Sequence, residues 1–181
     1  MKILIVSGFL GAGKTTFIKR LARNVDQRFA ILENEYGAAG IDGARLGQNR
    51  QGTQKNVWEM TEQCICCIGK KDFAASVLTI ANVVDPEYLI VEPTGVGSLA
   101  RIIENLRQIE YERIQLLSPV TIVDVYSYRR YMAEYPELYQ DQIRSADTII
   151  VSKTEACQAE EKQRIQKFLQ EINPQAKIIT D

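Results

Sequence analysis

Histidine is absent from the 181-residue chain, and with it goes imidazole both as a general base and as a metal ligand. Any chemistry must therefore be carried by carboxylates, lysine, hydroxyls, backbone amides or thiolates. No apolar run approaches the roughly 20 residues that cross a bilayer. The short run at 3–6 is followed by Gly8, Gly11, Gly13 and Lys14, so it reads as a buried strand entering a loop and not as a signal peptide. Neither sign of charge is in excess: 22 basic and 23 acidic side chains leave a net charge of −1, which points to neither nucleic acid nor a membrane as partner. The 4 cysteines lack the spacing of a secreted disulfide framework, so a cytoplasmic location is expected. What the chain does have is 45% apolar residues, enough to bury the core of one domain of ordinary size.

Those apolar residues fall into continuous runs at 3–6, 29–32, 88–91, 120–123, 148–151 and 177–179, each bounded by turn residues. Runs of this kind suit strands buried on both faces, as in a parallel sheet. Helical patterns lie between them, the clearest at 159–172, where Ile165, Phe168, Leu169 and Ile172 recur at helical spacing. Strand alternating with helix predicts right-handed βαβ units and a three-layer α/β domain over residues 1–181. The polar stretch 36–55, with its glycines, is too long for an idle connection and is expected to be a mobile functional loop.

The first strand leads into Gly8-Phe9-Leu10-Gly11-Ala12-Gly13-Lys14-Thr15-Thr16, which satisfies G-x-x-x-x-G-K-[ST] and opens a helix at Lys14. Glycines let the backbone curl so that consecutive N–H groups face a β-phosphate, and the helix N-terminus adds positive potential. The motif makes Gly8, Gly11, Ala12, Gly13, Lys14, Thr15 and Thr16 the expected phosphate cradle. Lys14 neutralises β/γ oxygens, and the Thr15 hydroxyl goes to Mg²⁺. With this motif in place, the fold expected is the three-layer P-loop NTPase fold with a mostly parallel central sheet.

Three further segments occupy strand ends. Glu92-Pro93-Thr94-Gly95 closes the run at 88–91, where doubly wound sheets place ligands: Glu92 can hold Mg²⁺ through water and the Gly95 N–H can meet a γ-phosphate. Glu35, just past the run at 29–32, is a candidate for positioning metal or water, the alternative being a solvated loop acid. The run at 148–151 enters Ser152-Lys153-Thr154-Glu155, a variant of the N-K-x-D sequence that reads guanine. A carboxylate at the fourth position, Glu155, can accept from both the imino and the amino group of guanine, and the Lys153 stem can cover the ring. Ser152 and Glu155 replace Asn and Asp, so an ordinary polar connection is the competing reading.

Cys64-Ile65-Cys66-Cys67 places three thiols within four residues. Such a soft-ligand cluster can bind Zn²⁺, Co²⁺ or a similar thiophilic ion; inert buried cysteines and a thiol–disulfide pair are the alternatives. Cys157 stands alone and reads as structural. With GFLGAGKTT at 8–16, ENEYG at 33–37, GIDG at 40–43, CICC at 64–67, EPTG at 92–95 and SKTE at 152–155, the sequence closely resembles the CobW-like branch of the CobW/HypB/UreG GTPases. The resemblance covers essentially the whole chain. It implies that EPTG stands in place of the usual DxxG and that the CxCC thiolates bind metal coupled to the nucleotide state. Gln63 departs from the Gly that commonly precedes CxCC, and the chain stops where such proteins usually continue into a second domain.

These features predict a metal-binding GTPase whose slow hydrolysis of GTP gates metal transfer, or the maturation of a metal- or corrinoid-dependent client. Lys14, Glu35 and Glu92 are the expected catalytic group. The cofactors implied are GTP or GDP, Mg²⁺, and Zn²⁺ or Co²⁺, with a homodimer as an admissible assembly. Two readings compete: a nucleotide- and metal-responsive docking module with negligible hydrolysis, and an ATP-using small-molecule kinase, which the SKTE segment opposes.

Overall fold

The computed structural model describes residues 1–24, 27–33, 57–61 and 70–180, with the side chains of 57–61 and 70–72 left aside. The strands are β1 (Lys2–Gly8), β2 (Phe29–Glu33), β3 (Val57–Thr61), β4 (Tyr88–Glu92), β5 (Gln115–Leu116), β6 (Val120–Asp124), β7 (Thr148–Ser152) and β8 (Lys177–Thr180). The helices are α1 (Lys14–Asn24), α2 (Lys70–Thr79), α3 (Leu99–Arg107), α4 (Tyr128–Glu134), α5 (Pro136–Arg144) and α6 (Ala159–Ile172). One sheet forms in the order β3-β2-β4-β1-β6-β7-β8, with β5 beside the start of β1. Every pairing between these strands is parallel.

The six apolar runs all became strands, most of them extended by a residue. The structure adds β3 and the two-residue β5, neither of which the apolar pattern indicated. Along each strand side chains alternate between faces. Ile3 and Ile5 of β1, Leu89 and Val91 of β4, and Ile149 and Val151 of β7 join Phe73, Leu99, Tyr139, Ile143 and Leu169 from the helices on one side. Val6, Ile31, Ile90 and Ile122 turn the other way and meet Ile18 and Ala22 of α1. Helices on both faces of a parallel sheet make the expected three-layer arrangement.

Local chemistry sets several boundaries. The Ser98 hydroxyl accepts from the Arg101 N–H at 3.3 Å and opens α3. After α2 the chain widens into one π-helical turn, Ile80–Val84, and stops at Asp85 in the left-handed region, with φ 46°. Asn173 donates through Nδ2 to the carbonyls of Ile143 and Ala146, both at 2.9 Å, and so ties the end of α6 to the end of α5. Among the described residues no helix is long and apolar enough to cross a membrane. The stretch 36–55, Glu35 and the cluster Cys64, Cys66 and Cys67 lie outside the described residues.

Candidate functional site

Because the strands run parallel, the C-terminal ends of β4, β1, β6 and β7 share one edge of the sheet. The chain turns outward from β1 in both directions along the strand order, and crevices of that kind hold ligands in doubly wound sheets. Three of the expected motifs meet here. The glycine loop follows β1, Glu92-Pro93-Thr94-Gly95 follows β4 on one side, and Ser152-Lys153-Thr154-Glu155 follows β7 on the other, beyond β6.

The loop is shaped by residues with no side chain. Gly8, Gly11 and Gly13 have φ of 141°, 71° and 101°, a region that L side chains rarely enter. At Gly8 space is also lacking, for an added Cβ would sit 2.4 Å from the carbonyl oxygen of Ile122 on β6. Across the crevice a Cβ on Gly95 would lie 2.6 Å from the Leu10 nitrogen, so the loop and the turn after β4 are in backbone contact. The Ala12 N–H closes a tight turn onto the Phe9 carbonyl at 3.1 Å, and the Phe17 N–H reaches the Gly13 carbonyl at 2.9 Å as α1 begins.

Phe9 anchors the loop. Its ring is buried, with Tyr131 of α4 at 4.7 Å and Tyr139 of α5 at 5.1 Å between centroids. The Tyr131 hydroxyl adds a hydrogen bond to the Leu10 carbonyl at 2.9 Å. Burial pushes the Tyr139 phenol above its ordinary range, with the nearby Asp124 charge adding to the effect, so it stays neutral.

Three residues, Lys14, Thr15 and Glu92, carry the polar chemistry beside the glycine loop. Lys14 is only 9% exposed, and its Nζ lies 3.5 Å from the Phe9 carbonyl oxygen. The Thr15 hydroxyl donates to Glu92 Oε1 at 3.0 Å. A hydroxyl and a carboxylate side by side form a hard-oxygen donor pair, which fits Mg²⁺ and its preference for oxygen ligands. Glu33, at the end of β2, pairs in register with Glu92, so the two strands end level. Thr16 is exposed at the first turn of α1.

The other end of the edge is built from side chains. Ser152 Oγ donates to the Ala12 carbonyl at 2.6 Å, joining the Ser152-Lys153-Thr154-Glu155 segment to the glycine loop. Lys153 has φ 61°, unusual for a residue with a side chain, and its Nζ is 2.7 Å from Asp124 Oδ2. Burial alone would raise the Asp124 pKa. Hydrogen bonds from Lys153, the Tyr126 N–H and Ser127, with the Lys153 charge, overcome burial and hold it below the ordinary value. Thr154 is fully buried and Glu155 is exposed, which leaves the Glu155 carboxylate directed to solvent. Asp124 was not indicated by the sequence, where it is one more acid at a strand end.

A model of the CobW/HypB/UreG nucleotide-binding domain matches residues 2–180. The chain belongs to this family. Within the family it is 31% identical over 170 residues to the zinc chaperone YeiR of Escherichia coli (strain K12), a match covering 92% of this chain and 51% of that protein. It superposes on the Zn(II)-bound YjiA GTPase from E. coli with a TM-score of 0.73 and 22% identity, covering 99% of this chain and 57% of the other. It also superposes on HypB from Helicobacter pylori in complex with nickel, with a TM-score of 0.66, 18% identity, and coverage of 98% and 77%. At such identities the structural likeness shows the P-loop GTPase fold of the family and nothing finer. The chain spans about half the length of the curated relatives it matches.

Proposed function

We propose that this chain binds GTP with Mg²⁺, hydrolyses it slowly, and uses the nucleotide state to govern a thiophilic metal ion, Zn²⁺ before Co²⁺, carried as cargo for a metalloprotein or corrinoid-protein client. The observation that carries the reading is the 2.6 Å hydrogen bond from Ser152 to the Ala12 carbonyl, which joins the glycine loop to the segment that would read the base. The zinc-chaperone names of the relatives supply the direction for the metal. Lys14 would face the β/γ oxygens, the loop amides from Gly8 to Thr16 would cradle the phosphates, and the Gly95 N–H would meet the terminal phosphate. Thr15 and Glu92 would hold Mg²⁺, which neutralises charge on the phosphate oxygens when bound. Glu155 would accept from the guanine edge, with Lys153 over the ring. Cys64, Cys66 and Cys67 would carry the cargo ion as thiolates, and Glu35 would position metal or water.

Single-turnover hydrolysis of GTP, measured with and without Zn²⁺ on the unaltered protein and on the C64S/C66S/C67S variant, tests the reading. Metal-sensitive turnover that loses its sensitivity in the variant is expected. GTP cleavage at the uncatalysed rate under every condition would remove the enzyme and leave a docking module. ATP bound as tightly as GTP would overturn the guanine assignment.

A further inference from the structure

Gln142 on α5 is 1% exposed, and its amide donates to two carbonyls of the turn after β4, Gly95 at 3.1 Å and Gly97 at 2.9 Å. Burying an amide costs stability unless its hydrogen bonds are made. Here both N–H bonds are spent on one turn, while Oε1 accepts from none of the described residues. Flipping the amide would set that oxygen against two carbonyls, so the donor side must face the turn.

The grip is anchored behind and extended ahead. The Thr121 hydroxyl donates to the Gln142 carbonyl at 2.9 Å, fixing α5 to β6. Asp141 Oδ2 accepts the Leu99 N–H at 2.8 Å, holding the start of α3 from the same helix. On the opposite side Gly95 already abuts Leu10 of the phosphate loop, where an added Cβ would be 3.0 Å from the Leu10 side chain and closer still to its nitrogen. The turn is thus wedged between the loop and Gln142. Within the turn the Gly97 N–H donates to the Thr94 carbonyl at 2.9 Å, and that carbonyl shares its peptide plane with the Gly95 N–H, so a turn held by its Gly95 and Gly97 carbonyls keeps the direction of that N–H.

We propose that Gln142 is a positioning residue that aims the Gly95 N–H at the terminal phosphate, so that preference for a triphosphate over a diphosphate depends on a side chain touching neither. This rests on the reading that GTP binds at this edge. Q142M keeps the size of the side chain and removes both donors. Titration of the whole chain with a non-hydrolysable GTP analogue and with GDP, each with Mg²⁺, should show analogue affinity falling about tenfold, the effect of losing the one hydrogen bond from the Gly95 N–H to a charged phosphate oxygen. GDP affinity should stay within about twofold, because GDP has no group at that N–H. Equal losses for both nucleotides, or no loss for either, would overturn the proposal, since a purely structural role cannot tell the two apart. Should Q142M fail to fold, Q142N retains an amide one methylene short, and the same ratio decides. An unaltered protein that binds neither nucleotide would refute the GTP reading itself and this inference with it.

Discussion

Gly8 and Gly95 shape the end of the site proposed for phosphate by having no side chains, whereas Ser152, Lys153 and Asp124 shape the end proposed for the base, the base end, through side-chain contacts. At the first, backbone packs on backbone, and a Cβ at Gly8 would lie 2.4 Å from the Ile122 carbonyl. At the second, a hydroxyl at 2.6 Å and an ammonium at 2.7 Å make the links. Steric exclusion has no graded substitute, while a hydrogen bond can be weakened, replaced or screened. The base end should therefore tolerate change, which accords with Ser and Glu standing in a segment that otherwise reads Asn and Asp.

That contrast breaks most sharply at Gly8→Ala. The new methyl meets fixed backbone at a φ of 141°, and unfolding free energy should drop by about 3 kcal/mol or more in urea denaturation. Gly11→Ala, with nothing within 4 Å of the new Cβ, should cost about 1 kcal/mol for its φ of 71° alone. Similar losses at the two positions would refute the steric account. Next in size, Lys14→Ala should weaken Mg²⁺–GTP binding about a hundredfold, the scale of a buried charge-assisted contact. Unchanged affinity in a fluorescent-nucleotide titration would remove the phosphate-loop assignment.

At the base end the effects shrink. Glu155→Ala should cut the preference for GTP over ATP by about tenfold or more in competition binding, through loss of a paired acceptor. Ser152→Ala should cost about 1 kcal/mol of nucleotide affinity, lowering GTP and ATP binding alike because the lost bond is to Ala12 and not to a base. Selective loss of GTP would instead place the hydroxyl on guanine.

The smallest effect expected is pH-dependent. Asp124 is held below its ordinary value of 3.8, so its contribution is present above that value and is lost as pH falls through the lower, folded value. Asp124→Asn should flatten the acid limb of the stability curve below about pH 4, by less than about 1 kcal/mol because Lys153 is half-exposed and screened. An acid limb unchanged by the substitution would show that the Asp124–Lys153 pair is not what loses stability there.

Reading the chain without its structure went furthest where neighbours in sequence are neighbours in space. The phosphate loop lies on the strand-to-helix turn its motif demands, and the helix at 159–172 has the bounds its periodicity predicts. Val57-Trp58-Glu59-Met60-Thr61 was missed because among the described residues it pairs only with β2, at the sheet's edge, where a continuous apolar run is not required. Gln142 was missed because a polar residue on an amphipathic helix is ordinarily solvated, and only packing of α5 over the turn after β4 makes it a buried donor.

What the sequence determined by itself was six of the eight described strands, the glycine loop after β1 and the motifs that follow β4 and β7, because these depend on side-chain type and on contacts within a few residues. The tertiary structure alone decided which strand ends stand together. Ser152 meets Ala12 across 140 residues, Gln142 meets Gly95 across 47, and Lys153 meets Asp124 across 29. Partners so distant are chosen by strand order and helix packing, and a polar side chain carries no local mark of which buried carbonyl or carboxylate it will find.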